Sequence, residues 1–401
     1  VRSFFIIIFF FLFSFTDAQT PAIDSLYFLI ENGSQDTHQV NVLLELAYAL
    51  QKQDIDRSSL IAKEAVILSE KLHYKKGESM GLTYVAASYM LSGTPRDGIA
   101  YADRARDIAD SIDCQLCIVK VSTILGGLYN AITENEKAML YMIEGLEAAE
   151  AIQDTQAVGM MLSNVGFILI EDENYEEAKK YFMRLAEMTK IYEDDTHKLA
   201  WSWGYGTIQS IEGDLAGARS NLEDGIRLAK EVSHNHVLGA LYEELGRIHI
   251  LENDLLKAEE RLLKASEIYH TIGVQDLLMN TNAELSGLYN RLGRYDEAVK
   301  YGSIGLEQAN KAESKEHKAK CYLQLSLAHE NRKDHKQSLL FHKQYKAWSD
   351  SIFDAEKSKS ILDLESKYQV TKLEERQIKN EAQIDQQRAR NIISLLLLAV
   401  V

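Results

Sequence analysis

Residues 276–315 read DLLMNTNAELSGLYNRLGRYDEAVKYGSIGLEQANKAESK, and the fold of the chain is decided here. In the first half Leu278, Leu285, Leu288, Tyr289 and Leu292 recur at three- and four-residue steps, the spacing of one helix face. Gly293 suits the end of that helix. Asp296 then stands in the first turn of a second helix, where a negative charge complements the helix dipole. In the second half Ala298, Gly302 and Gly305 form a stripe of small residues on the side that must approach its partner closely. The stretch reads as a helix hairpin.

Working outward, the small residue at 298 belongs to a ladder with a step of 40: Ser58, Gly98, Ala138, Ala178, Ala218, Ala258, Ala298 and Ser338. A second ladder runs twelve residues upstream, through Ala86, Gly126, Gly166, Gly206, Gly246, Ser286 and Ser326. A third follows seven residues after the first, at Ala65, Ala105, Gly145, Gly225, Ala265 and Gly305, and is broken by Leu185 and Tyr345. Self-similarity at a fixed period marks a stack of identical supersecondary units. At the start of the array, LAYAL (residues 46–50) is shifted by one residue against the second ladder. The expected fold class is all-α: a right-handed α-solenoid of about eight 40-residue helix-turn-helix repeats with a long C-terminal helix. Only Pro21 and Pro95 interrupt the chain's helix-forming potential, and an interior proline costs a helix about 3 kcal/mol.

The recurring TILGGLYN, SNVGFILI, EELGRIHI and ELSGLYN segments, with the turns ENYEEA, GDLAGA and NDLLKA, resemble the tetratricopeptide repeat over residues 38–352. The period of 40 exceeds the usual 34, and the proline that commonly closes each repeat is missing. The resemblance implies a concave groove, lined by the first helix of each pair, that takes a protein or peptide. Projected onto this sequence, the candidate groove residues are Thr123, Asn130, Ser163, Phe167, Trp203, Thr207, Glu243, Arg247 and Asn290. Aromatic and arginine side chains are enriched at binding hot spots, which singles out Phe167, Trp203 and Arg247. The competing reading is that Trp201, Trp203 and Tyr205 simply pack between helices.

Composition narrows the function. The chain is 46% apolar and carries a net charge of −16, so phosphate polyanions are repelled and no nucleic-acid partner is expected. No HExxH, GxSxG, phosphate-loop or dinucleotide-binding motif occurs, and no catalytic residue, metal or cofactor is expected. His234 and His236, two residues apart, do not share a helix face. Cys114 and Cys117 in DCQLC lack the second pair that would complete a zinc site. They read as two small, partly buried apolar side chains, with a local disulfide as the alternative.

The two ends are not solenoid. Phe4–Phe15 is an apolar run following Arg2, with small residues at Thr16 and Ala18, and residues 1–18 read as an export signal. An uncleaved anchor is the alternative. Residues 19–37 are a lead-in. From 353 to 390 the chain is rich in Lys, Glu and Gln, and Ile361, Leu364, Tyr368, Ile378, Ala382, Ala389 and Ile392 occupy heptad core positions. This reads as a weak coiled coil, a route to a homodimer, or else as a single solvated helix. Residues 391–401 read as the first half of a membrane span that is cut short, or as a hydrophobic tail.

Export signal, array and charged helix together are similar to bacterial membrane-anchored tetratricopeptide sensors. That likeness implies an inner-membrane protein with its array in the periplasm and a separate output domain, commonly a histidine kinase. A non-signalling envelope scaffold for protein assembly is the alternative.

Overall fold

The structure, a computed structural model, describes residues 19–352 apart from 32, 52 and 193. The export signal, the heptad helix and the terminal apolar run therefore lie outside the described residues. Among the described residues there are helices and no strands, in repeated helix-turn-helix pairs. Also among them, no helix is long and apolar enough to cross a membrane.

The lead-in is α1 (Gln19–Glu31), followed by α2 (Thr37–Leu50), α3 (Ile55–Lys71), α4 (Lys75–Leu91), α5 (Pro95–Ser111) and α6 (Gln115–Ala131). Next come α7 (Asn135–Ala151), α8 (Thr155–Glu171), α9 (Tyr175–Ile191), α10 (Asp195–Glu212), α11 (Leu215–Glu231) and α12 (Asn235–Leu251). Last are α13 (Leu255–Ile272), α14 (Gln275–Arg291), α15 (Tyr295–Lys311), α16 (Lys315–Asn331) and α17, described over 335–352. Packing divides the chain into two compact units, one ending at Thr281 and one beginning at Asn282, so the boundary falls inside α14.

Most of these helices are 17 residues long, and three-residue turns make the step from helix to helix 20 residues. Thirteen of these turns use the same device. The residue at 73, 93, 113, 133, 153, 173, 213, 233, 253, 273, 293, 313 and 333 has a positive φ. The next N–H reaches back to the final helical turn, as in Glu134 N to Tyr129 O at 2.9 Å and Asp154 N to Ala149 O at 3.0 Å. This closes the helix end by a Schellman bond. Gly occupies the position at 93, 213, 273 and 293. Elsewhere an L side chain bears the strain, and Thr133, β-branched with φ of 61°, bears the most. Thr133→Gly is expected to raise stability by about 1 kcal/mol, read as a higher denaturant midpoint at unchanged slope.

The ladders explain how the helices nest. In the first unit the first helices of successive pairs, α2, α4, α6, α8, α10 and α12, touch one another in a row, while each second helix packs chiefly against the first helices flanking it. Where the second ladder is Gly, the residue sixteen positions later is a large, fully buried knob: Met142 over Gly126, Phe182 over Gly166, Leu222 over Gly206 and Leu262 over Gly246. A Cβ on Gly126 would meet Met142 at 2.3 Å, and one on Gly246 would meet Leu262 at 2.9 Å. Where that ladder holds Ala86 instead, the knob shrinks to Ala102. The small residues are thus sockets as well as points of close approach.

Serines on the ladders satisfy themselves across the hairpin. Ser58 Oγ donates to Ala47 O at 2.7 Å, and the eleven-residue separation is the one-residue shift expected from LAYAL. In the second unit Ser286 Oγ donates to Ala298 O at 2.7 Å, across the usual twelve. Successive second helices are linked by ion pairs, Arg104–Glu70 at 2.6 Å and Arg106–Glu144 at 2.7 Å, each worth at most about 1 kcal/mol at the surface.

Candidate functional site

The row of first helices in the first unit carries eight of the nine projected groove residues. They do not form an open polar surface. Thr123, Ser163 and Thr207 are buried, and each hydroxyl turns back onto its own helix, bonding Val119 O, Met160 O and Trp203 O at 2.8, 2.8 and 2.9 Å. Asn130 Nδ2 reaches Glu171 Oε2 at 3.2 Å and ties α6 to α8. Asn290 belongs to the second unit, where its Nδ2 donates to Gln324 O at 2.9 Å and ties α14 to α16 in the same way.

Phe167 and Trp203 come together, with ring centroids 4.7 Å apart, and Phe167 meets Phe182 edge-on at 5.2 Å. Both Phe167 and Trp203 are buried, at 4% and 7% exposure, so this aromatic pair joins α8, α9 and α10 inside the array. Trp201 and Tyr205 stack at 5.6 Å and remain half-buried. They stand two positions either side of Trp203 and so lie on the opposite face of α10, packed against the core.

Glu243 and Arg247 also come together, in a cluster larger than their spacing suggested. Glu243 and Glu244 are each 4% exposed, and the half-buried Arg247 guanidinium bonds both carboxylates. The Glu243 carboxylate further accepts from Asn280 Nδ2 and from Thr281 Oγ1, the latter at 3.1 Å. Tyr269, fully buried, brings its phenol towards the same carboxylate, outside hydrogen-bonding geometry. Burial, reinforced by the Glu243 charge, pushes that phenol well above its usual range.

Tyr269 is an interruption of the repeat. Its equivalents Ser69, Ala109, Ala149, Thr189, Ala229 and Ala309 are all small, and room for the ring comes from Gly239, whose Cβ would lie 2.5 Å from Tyr269 Cε1. His197 is the same kind of exception. Its ring fills the space over Gly159 and its Nε2 lies 3.2 Å from Gln156 O. Glu244, Asn280, Thr281 and Tyr269 were not among the projected groove residues. The paired departure of Gly239 and Tyr269 from the repeat was the available signal.

The cysteine pair needs correction. Cys114 and Cys117 are joined as a disulfide at the start of α6, and do not stand as two separate apolar side chains. No group of three or more His, Cys, Asp or Glu side chains suited to a metal occurs among the described residues.

Another buried histidine, His317 in α16 of the second unit, accepts or donates at Nδ1 with Ser314 Oγ, 2.8 Å away. Burial pushes its pKa down to about 4; Lys320 acts in the same direction and Glu284 opposes. Between pH about 6.5 and about 4 the unfolded chain binds a proton that the folded chain refuses. Stability is therefore full above that window and falls as pH drops through it. His317→Gln should flatten the acid limb of a stability-versus-pH curve.

No protein-family profile matches the sequence, and no characterised protein matches it by sequence. Solved structures share the fold. The apo form of the quorum sensor NprR from B. thuringiensis aligns with a TM-score of 0.61 at 16% identity, covering 81% of this chain and 92% of that one. A Rap protein complexed with competence and sporulation factor aligns at 0.58 and 13%, over 80% of this chain and 99% of that one. A STAND protein with a tetratricopeptide repeat sensor from Pyrococcus horikoshii aligns at 0.58 and 17%, over 83% of this chain and 51% of that one. The fold is the tetratricopeptide-like helical repeat, here with a 40-residue period.

Proposed function

We propose that this chain is a non-enzymatic, peptide- or protein-binding sensor module. The observation that supports it best is the extent of the fold match: nearly the whole of a Rap protein in complex with its factor, and 92% of a quorum sensor, superimpose on the repeat array. The row of first helices supplies the docking side, with the half-buried Arg247 as its anchor. A displayed peptide library should yield saturable binders, and Arg247→Ala should weaken them at least tenfold while Trp201→Ala, on the opposite helix face, leaves them unchanged. Binding unchanged in Arg247→Ala would remove this row as the docking side.

The array is further assigned to the periplasm of a bacterial cell, held at the inner membrane. The apolar runs at 4–15 and 392–401 support this reading, as does the disulfide, which persists in oxidising compartments. In this reading the signal passes through residues 353–390 to an output domain, a histidine kinase by preference. A reporter fused after residue 350 that is active only outside the cytoplasm supports this placement, and one active inside rejects it. A gene that continues past Val401 with about ten more apolar codons and an output domain supports signalling. A stop codon directly after Val401 leaves the envelope scaffold.

A further inference from the structure

The turn before α6 differs chemically from its equivalents. At the same position before other first helices the capping atom is oxygen or nitrogen: Asp154 accepts from Ala157 N at 3.0 Å, Asp194 from His197 N at 2.9 Å and His234 Nδ1 from Val237 N at 3.4 Å. Before α6 the capping atom is sulfur. Cys114 is the N-cap residue, and its Sγ accepts from Cys117 N at 3.3 Å while also bonded to Cys117 Sγ.

Three properties follow from this placement. The two sulfurs sit in the first turn of a 17-residue helix, whose unpaired N–H groups and dipole stabilise a thiolate and so favour the reduced form. No acidic residue occupies that first turn. The adjacent Asp113 is exposed and engaged by Gln115 Nε2 at 2.9 Å. Exposure also separates the two sulfurs: Cys114 is half-buried, whereas Cys117 is fully buried. Attack from outside is therefore directed to one atom.

We propose that Cys114 and Cys117 form an exchangeable redox site, a thiol–disulfide centre that a protein dithiol reduces and reoxidises. In the reducing direction a partner thiolate attacks Cys114 Sγ. The Cys114–Cys117 bond breaks, Cys117 leaves as a thiolate at the helix N-terminus, and a mixed disulfide joins Cys114 to the partner. The partner's second thiolate then attacks its own sulfur in that mixed disulfide and releases Cys114. Two electrons and two protons pass from the dithiol to the pair, and the partner ends as a disulfide. The Cys117 N–H already aimed at Cys114 Sγ holds the freed Cys114 in its capping role, so α6 keeps its start in both states.

The site stands apart from the ligand-binding reading and is tested without it. The folded chain is incubated with excess dithiothreitol, quenched with acid, alkylated and mapped by mass. The pair should open fully while helical circular dichroism stays unchanged. Cys321, buried and with its thiol pushed up to about 12, should remain unmodified as an internal control. In Cys117→Ala, Cys114 should form a mixed disulfide with oxidised glutathione at least tenfold faster than Cys117 does in Cys114→Ala. A disulfide that yields to dithiothreitol only after denaturant is added overturns the proposal, and so does capture at Cys117 in preference to Cys114. The wild-type measurement decides the matter even where a variant fails to fold.

Discussion

Gly204→Ala is expected to cost about 3 kcal/mol, although alanine is the better helix former by about 1 kcal/mol. A Cβ built on Gly204 would lie 2.0, 2.2 and 2.7 Å from Cζ, Cε1 and Cε2 of Phe182. The ring has nowhere to go, because its other side is seated over Gly166, where a Cβ would meet Cε2 at 2.6 Å. Phe167 also presses on it edge-on at 5.2 Å. The mutant must therefore separate α10 from α9, or expel a side chain that is fully buried. Either route loosens the centre of the first unit. Phe182→Leu alone should cost about 1–2 kcal/mol, while Gly204→Ala with Phe182→Leu should recover more than half of the single-mutant loss. Denaturation followed by helical circular dichroism reads all three. A cost below about 1 kcal/mol for Gly204→Ala, or no rescue by the smaller knob, would show that the socket is looser than the geometry states.

The same socket shows how far the sequence could be read. The ladders at 58–338 and 86–326 repeat without a break, because backbone approach tolerates only Gly, Ala or Ser, and this constraint is printed in residue type. Knob sizes are printed too, at 142, 182, 222 and 262, but they appear only when positions sixteen apart are compared. The turns were less legible. Nine of the positive-φ positions hold non-glycine residues, among them Thr133, Gln153 and Ser233, so their 20-residue rhythm lies in backbone conformation and leaves little trace in residue type. The groove was least legible. A projection assigns a face to Thr123, Ser163 and Thr207 but cannot tell that a hydroxyl will bond its own helix three or four residues back. Nor does it reveal that Glu243, alone among its repeat equivalents Thr83, Thr123, Ser163 and Trp203, will collect donors from two helices.

That collection makes Glu243 the polar side chain with the largest expected effect. Glu243→Ala should destabilise the first unit by about 3 kcal/mol, since a buried ion pair loses one partner and buried donors lose their acceptor. Two features hold the cost at the lower end of the range for such losses. Arg247 keeps its bond to Glu244, and Thr281 Oγ1 keeps Leu277 O at 2.9 Å. Glu243→Gln should recover only part of the loss, because its amide turns a donor towards Asn280 Nδ2 and the Arg247 guanidinium. Tyr269→Phe, by contrast, should be neutral or mildly stabilising. Its hydroxyl is buried facing the Glu243 carboxylate without a well-formed hydrogen bond, so removing it relieves a desolvated polar group while the ring still fills the space over Gly239. The double-mutant cycle of Glu243→Ala with Arg247→Met should give a coupling of about 1–2 kcal/mol that persists in 1 M salt, since a pair this buried is poorly screened. A coupling abolished by salt would place the pair in water. The cluster would then be a solvated surface bridge, and Arg247 would be free to swing away when a ligand arrives.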